Sequence, residues 1–262
     1  PVTLAATLTW DADGIAPAIT DGSGNWDVGG ASTWLNGASS STFSTGDDVI
    51  FGGGTSGTAG LITLLSSLSA GSLTFNAPFA GNYTIGGGPN VLKINGTGYS
   101  SSSVRPRGVT ASSSATITAP VLLGSSQIWS TGLFTNLAVS GSIDDAGLGY
   151  GIDKEGLGKL TLTGNNTFSG QLSVMNGVVS VNTSAALGSG TSTVQVGGDR
   201  NTFGGTLQLA PANPSGASTA WGRNLFVTGG GIATANSITT AIQALSQGAL
   251  TSIGNNTLNG SL

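Results

Sequence analysis

The stretch from Gly156 to Val181 constrains this chain more than any other. Three short runs within it, Leu160/Leu162, Leu172/Val174 and Val179/Val181, alternate apolar residues with Lys, Thr, Ser or Gln, and glycine- and asparagine-rich turns separate them. Alternation of period two places the apolar side chains on one face of an extended strand. A three- or four-residue strand cannot bury such a face alone, so it needs neighbours of the same kind. The chain supplies them: Gly71-Ser72-Leu73-Thr74-Phe75, Gly158-Lys159-Leu160-Thr161-Leu162 and Gly205-Thr206-Leu207-Gln208-Leu209 share a G-x-L-polar-apolar core. The intervening turn, Gly164-Asn165-Asn166-Thr167-Phe168-Ser169-Gly170, recurs as Gly254-Asn255-Asn256-Thr257-Leu258-Asn259-Gly260.

Only 7% of the 262 residues are charged, against about 25% in an ordinary globular domain, while glycine supplies 45 of them. Ser, Thr, Asn and Gly must therefore coat the surface. Disorder does not explain such a chain, because its aliphatic content and a mean hydropathy of +0.21 are enough to build a core. Glycine, Ser, Thr and Asn interrupt every long 3.6-residue apolar stripe except one, Ala233 to Ala249, which reads as a short helix or an irregular loop. The expected class is all-β.

Absences exclude much chemistry. Without Cys or His there is no disulfide, no thiolate or imidazole metal site and no Ser-His-Asp hydrolase. Seven basic residues, none before Lys93, cannot form the basic stripe that nucleic acid requires. No apolar run approaches the roughly 18 to 20 residues of a membrane-spanning helix.

Residues 1–54 differ from the rest: they hold Trp10, Trp26 and Trp34 with six of the eleven acidic residues, and read as an N-terminal cap covering the open end of a stack. From 55 to 262 short β runs succeed one another, at Ile62–Leu65, Leu73–Phe75, Tyr83–Ile85, Val91–Ile94, Ala115–Ile117, Val121–Leu123, Leu137–Val139, Val194–Val196, Leu207–Leu209 and Leu225–Val227. Tyr99 to Arg107 reads as a protruding loop. Two architectures compete. Asn36-Gly37, Asn95-Gly96, Asn176-Gly177 and Asn259-Gly260 suit type I′ hairpins and an antiparallel β-sandwich. The short strands, irregular connections and unequal repeat spacings, 87 and 47 residues, favour a parallel β-solenoid of about ten rungs, each of about 20 to 25 residues.

Gly156 to Val181, continued by Ala186-Leu187-Gly188-Ser189-Gly190, resembles the autotransporter-associated β-strand repeat, or passenger-associated transport repeat, of bacterial secreted proteins. Ala119-Pro120-Val121-Leu122-Leu123-Gly124, Ile152-Asp153-Lys154-Glu155-Gly156 and the Trp-rich opening through Gly46-Asp47-Asp48-Val49-Ile50-Phe51-Gly52 are similar to such sequences too. The resemblance implies a right-handed parallel β-helix, exported by a Gram-negative bacterium to the cell surface or beyond. The sequence shows no C-terminal translocator barrel, and the truncated second repeat predicts a rod that continues past Leu262.

Few residues invite a site. Asp21, Ser23, Asn25 and Asp27 place oxygens at alternate positions, the spacing of a calcium loop, with Asp11, Asp13, Asp47 and Asp48 as further donors in the cap. The acid that normally closes such a loop is missing, and Asx turns give the same pattern without metal. Asp144, Asp145, Asp153 and Glu155 are the other acidic cluster; paired carboxylates serve glycoside hydrolysis, and only Lys154 and Lys159 lie close in sequence. A solvated corner is the simpler reading. Trp129, Trp221, Tyr83, Tyr99 and Tyr150 are either sugar-stacking platforms or core aromatics. Sequons at Asn82, Asn95, Asn165, Asn182 and Asn255 follow from composition. The expected function is that of a non-enzymatic, exported structural solenoid: a surface stalk, adhesin or fibre subunit that associates with itself end to end or laterally and meets surface glycans. A carbohydrate-active β-helix or a carbohydrate-binding module is the alternative.

Overall fold

The computed structural model describes residues 5–98, 105–190, 193–197, 204–211, 219–221, 224–227, 250–252 and 256–258. The chain winds as a parallel β-solenoid. Each turn contributes one strand to a first sheet and one to a second, and four successive turns add a strand to a third. The first sheet runs Thr7–Trp10, Asp48–Phe51, Leu73–Phe75, Arg107–Ala111, Gln127–Thr131, Ile152–Glu155, Leu172–Val174, Val194–Val196 and Leu225–Val227, nine rungs among the described residues. The second runs Gly24–Trp26, Ala59–Leu64, Gly81–Gly86, Ala115–Ile117, Asn136–Val139, Lys159–Leu162, Gly177–Val181, Gly205–Leu209 and Leu250–Ser252. The third holds Leu68–Ala70, Leu92–Ile94, Val121–Leu123 and Ile143–Asp144. All of these strands pair in parallel, which removes the antiparallel sandwich.

Parallel pairing in register turns local alternation into continuous internal ladders. On the first sheet Leu8, Val49, Leu73, Val109, Trp129, Lys154, Val174 and Val196 stack inward in one column. Facing them on the second sheet, Ile62, Ile85, Ile117, Val139, Leu162, Val181 and Leu209 form another, all fully or almost fully buried. Each aliphatic side chain buried this way contributes about 1.5 to 3 kcal/mol relative to exposure.

Residues of the cap region make the first rung. Thr7–Trp10 pairs in parallel with Asp48–Phe51 on one side and antiparallel with Trp34–Asn36 on the other. A two-residue turn, Gly37-Ala38, with Gly37 at φ 62°, joins Trp34–Asn36 to Ser39–Ser41, so a hairpin does form here, but Asn36 is a paired strand residue without a left-handed φ and the turn is not the expected type I′. The end strand of the first sheet is thus three serines, a short polar edge that gives another chain little to pair with. Beneath it Trp10, Trp26, Trp34, Phe43 and Phe51 pack edge-to-face and tilted, with Trp10–Trp34 and Trp26–Phe43 centroids both 5.1 Å apart. The expected boundary at residue 54 falls inside the second rung, between Asp48–Phe51 and Ala59–Leu64.

Three sequence expectations need adjustment. Arg107 belongs to the strand Arg107–Ala111 and not to the protruding loop; it pairs with Gly98 through backbone hydrogen bonds of 3.0 and 2.9 Å, and 99–104 lie outside the described residues. Asn176-Gly177 is a corner between parallel strands and not a hairpin. Asn256–Leu258, in the second copy of the Gly164 turn, is a strand paired with Thr219–Trp221. Among the described residues the sole helical element is a 3-10 turn, Ser184–Leu187; Ala233 to Ala249 lies outside the described residues.

Candidate functional site

The repeat unit begins with Ile152–Glu155. Alternation points Ile152 and Lys154 into the core and leaves Asp153 and Glu155 facing out. Lys154 is fully buried, in the position that every neighbouring rung fills with Val or Trp. Its Nζ donates to the carbonyls of Glu155 at 2.7 Å, Gly156 at 2.8 Å and Asn176 at 3.0 Å, corner carbonyls of two successive rungs. Burial pushes the ammonium pKa down to about 7, against the attraction of Glu155.

The corners themselves require glycine. A Cβ on Gly158 would lie 2.0 Å from Gly132 O, and one on Gly177, at φ 72°, would lie 2.3 Å from Gly156 O. The Gly164–Gly170 turn carries the other device. Asn166, 4% exposed, accepts from the Ile143 N–H at 2.9 Å with its Oδ1 and donates Nδ2 to the Ala186 carbonyl at 2.7 Å. One amide side chain thereby links the rung before with the rung after, and Phe168 fills the core beside it.

The acidic residues disperse. Asp145 is fully buried and organises a turn: it accepts from Gly147 N at 3.1 Å, Tyr150 N at 2.9 Å and Ser169 Oγ at 2.7 Å. Burial alone would raise its pKa; the Ser169 hydroxyl and the backbone N–H groups outweigh burial and hold it below the usual carboxylate value. Asp144 accepts from Ala146 N and from the Thr167 hydroxyl. Asp153 and Glu155 lie on the first sheet, where Arg105 reaches Asp153 at 3.2 Å and Arg107 reaches Glu155 at 3.8 Å. The four carboxylates therefore divide between a buried turn and an outward ion-paired face. The arginines were missed from sequence, although the R-x-R spacing of 105 and 107 mirrors the D-x-E spacing of 153 and 155 on strands two rungs apart.

Asp21, Ser23, Asn25 and Asp27 do not share one loop. Asp21 ends Thr20–Asp21, and its two oxygens accept from the Tyr83 hydroxyl at 2.8 Å and Phe79 N at 2.7 Å. Ser23 Oγ accepts from Leu61 N at 3.1 Å, and Asn25 lies within Gly24–Trp26. No three acidic side chains gather as a metal-binding group among the described residues. Trp129 is buried, with its Nε1 3.3 Å from Gln127 Oε1, and Tyr83 is buried against Asp21; Tyr150 is half-buried against the core. Tyr99 and the Trp221 side chain lie outside the described residues.

The rest of the surface is mostly uncharged, with 7% of all residues charged. Thr84, Thr116 and Thr161 stand half-buried in one outward column of the second sheet, interrupted by Ala138; Ser180 continues the column but is only 4% exposed. At the corner between the first two sheets Leu133, Phe134 and Leu157 of successive rungs are 57%, 89% and 38% exposed, and Phe134 holds a left-handed φ of 63°. No helix among the described residues is long and apolar enough to cross a membrane.

Stacked rungs, glycine corners and the bridging asparagine define a parallel β-solenoid. Residues 152–181 match the passenger-associated-transport-repeat family. Over 234 residues, 84% of its length, the chain is 32% identical to the "Adhesin BmaC autotransporter" of Brucella suis biovar 1 (strain 1330), and it spans 5% of that protein. No solved structure matches the chain. The repeat and the relative indicate an extracellular or cell-surface protein of a Gram-negative bacterium.

Proposed function

We propose that this chain is a non-enzymatic segment of an exported adhesin-type passenger, serving as a rigid stalk whose neutral outer faces make the adhesive contacts. The uninterrupted stack carries this reading: nine rungs share one core, and Asp144, Asp145, Asp153 and Glu155 do not converge on one point. Asp144 and Asp145 serve a turn while Asp153 and Glu155 face arginines, so these carboxylates do not converge for acid–base work on a sugar, whereas the uncharged hydroxyl and amide groups of the surface offer weak polar contacts to surface glycans. Self-association runs laterally, through the Leu133, Phe134 and Leu157 corner, because a short serine edge closes the N-terminal end of the first sheet. The 32% identity to an adhesin over most of the chain favours the same reading.

The test is display of the chain on a non-adherent Gram-negative host, with adherence to epithelial cells and to a glycan array compared with an equally displayed unrelated β-solenoid. Adherence above that control is expected. Equal adherence overturns the adhesive role, and a purified chain that sediments as a monomer at all accessible concentrations overturns lateral association.

A further inference from the structure

The first rung contains a buried carboxyl group that forms no ion pair with a Lys or Arg among the described residues. Where Thr7–Trp10 ends, the chain turns through Asp11-Ala12-Asp13-Gly14. Asp11 is fully buried: one oxygen accepts from Thr20 N at 2.9 Å, and the other, Oδ2, is enclosed with no well-placed N–H or hydroxyl donor among the described residues and with the Asp13 carboxyl beside it. Beside it stands Asp13, exposed to solvent, whose oxygens accept from Ile15 N at 2.9 Å and the Thr20 hydroxyl at 2.8 Å. Thr20 Oγ1 in turn lies 3.4 Å from Ser56 Oγ, on the strand that pairs with Thr20–Asp21. Neither ion pair formed by the described residues involves these acids, and no Lys or Arg occurs before residue 93.

A buried carboxylate oxygen with no donor, set beside a second carboxylate, is strongly unfavourable unless something positive stands between them. Burial raises the Asp11 pKa, and the neighbouring charge of Asp13 adds to it. We propose that Asp11 and Asp13, with the hydroxyls of Thr20 and Ser56, bind a hard divalent cation of the calcium type and that this ion locks the first rung to the second. The donors are all oxygen, as calcium requires, and their irregular arrangement suits its flexible coordination better than the strict octahedron of magnesium. Asp13 faces solvent and gives the ion a way in. With two carboxylates and the remaining positions left to hydroxyls and water, affinity belongs in the extracellular range of about 10⁻⁴ to 10⁻³ M. The site is separate from Asp21, whose two oxygens already have protein donors.

The experiment uses the full chain, stripped with EDTA, titrated with calcium chloride by calorimetry at neutral pH, with thermal unfolding followed in EDTA and in excess calcium. The wild type is expected to give saturable heat and a higher Tm in calcium. Asp11→Asn should abolish both effects and, in EDTA, should melt above the wild type because the orphaned charge is gone. Should that variant fail to fold, Asp13→Asn, at an exposed position, must abolish the same heat. Absence of calcium heat and of a Tm shift in the wild type overturns the proposal; so does calcium binding that survives in the folded variants. A wild type stabilised by mild acid, but indifferent to calcium, identifies a shared proton in place of the ion and equally overturns it.

Discussion

Lys154 gives the sharpest test of how this core is built. Its folded pKa of about 7 lies below the 10.5 of a solvated lysine, so between those values the unfolded chain binds more protons than the folded one. Stability therefore rises with pH through that window, and the penalty for the buried charge is fully present only below pH 7. Integrating the proton difference from pH 7 to pH 9 gives about 2 kcal/mol, at about 1.4 kcal/mol for each full unit of proton difference. In Lys154→Met the side chain keeps its length, but the carbonyls of Glu155, Gly156 and Asn176 lose their donor. The variant is less stable, and its deficit should grow with pH, because the neutral amine of the wild type still donates to two of the three carbonyls without the charge penalty. Urea unfolding followed by tryptophan fluorescence at pH 7, 8 and 9 measures both proteins. The expected result is a wild-type gain of about 2 kcal/mol that the variant lacks. Parallel pH profiles would refute the reasoning, since they would mean that Lys154 titrates alike in the folded and unfolded chains.

Two further outcomes follow from the same geometry. Gly158→Ala forces a methyl to within 2.0 Å of a backbone carbonyl and should leave the chain unable to complete the stack, whereas Gly147→Ala, at φ 73° with open space around it, should cost about 1 kcal/mol; circular dichroism melts of the two separate steric closure from backbone preference. The depressed pKa of Asp145 supplies stability that is present above its unfolded pKa and lost as pH falls through the folded one, so Asp145→Asn should flatten acid unfolding below about pH 4 in titrations followed by fluorescence.

The fold was legible where a strand puts aliphatics inward and hydroxyls outward. Leu73–Phe75, Ala115–Ile117, Val121–Leu123, Val194–Val196 and Leu225–Val227 have the bounds that alternation alone predicts. Arg107–Ala111 and Gln127–Thr131 were not legible, and Ile152–Glu155 was seen only as part of a resemblance. There the inward positions include Gln127, Thr131 and Lys154, and Ile128 is buried although it faces outward. A polar residue in an inward column is recognisable only once its surroundings are known: Lys154 reaches the carbonyls of Glu155, Gly156 and Asn176, Gln127 that of Ile94, and the Thr131 hydroxyl is enclosed without a partner among the described residues. Turns show the same limit. Gly37 and Gly177 have nearly the same φ, 62° and 72°, yet one closes a hairpin and the other a corner, because the choice depends on which strand lies alongside.

The candidate site was least legible because its charges act across rungs. In sequence Asp153 and Glu155 have only Lys154 and Lys159 nearby; in space Lys154 turns inward and Arg105 and Arg107 meet the acids over the intervening strand Gln127–Thr131. Asn166 follows the same logic. The third sheet ends at Ile143–Asp144, and a stack that loses a strand leaves an N–H on one rung and a carbonyl on another without partners. Asn166 offers one acceptor and one donor at the spacing of the missing strand, satisfying Ile143 below and Ala186 above. Asn166, within the matched residues 152–181, is therefore a means by which winding continues after the third sheet has ended.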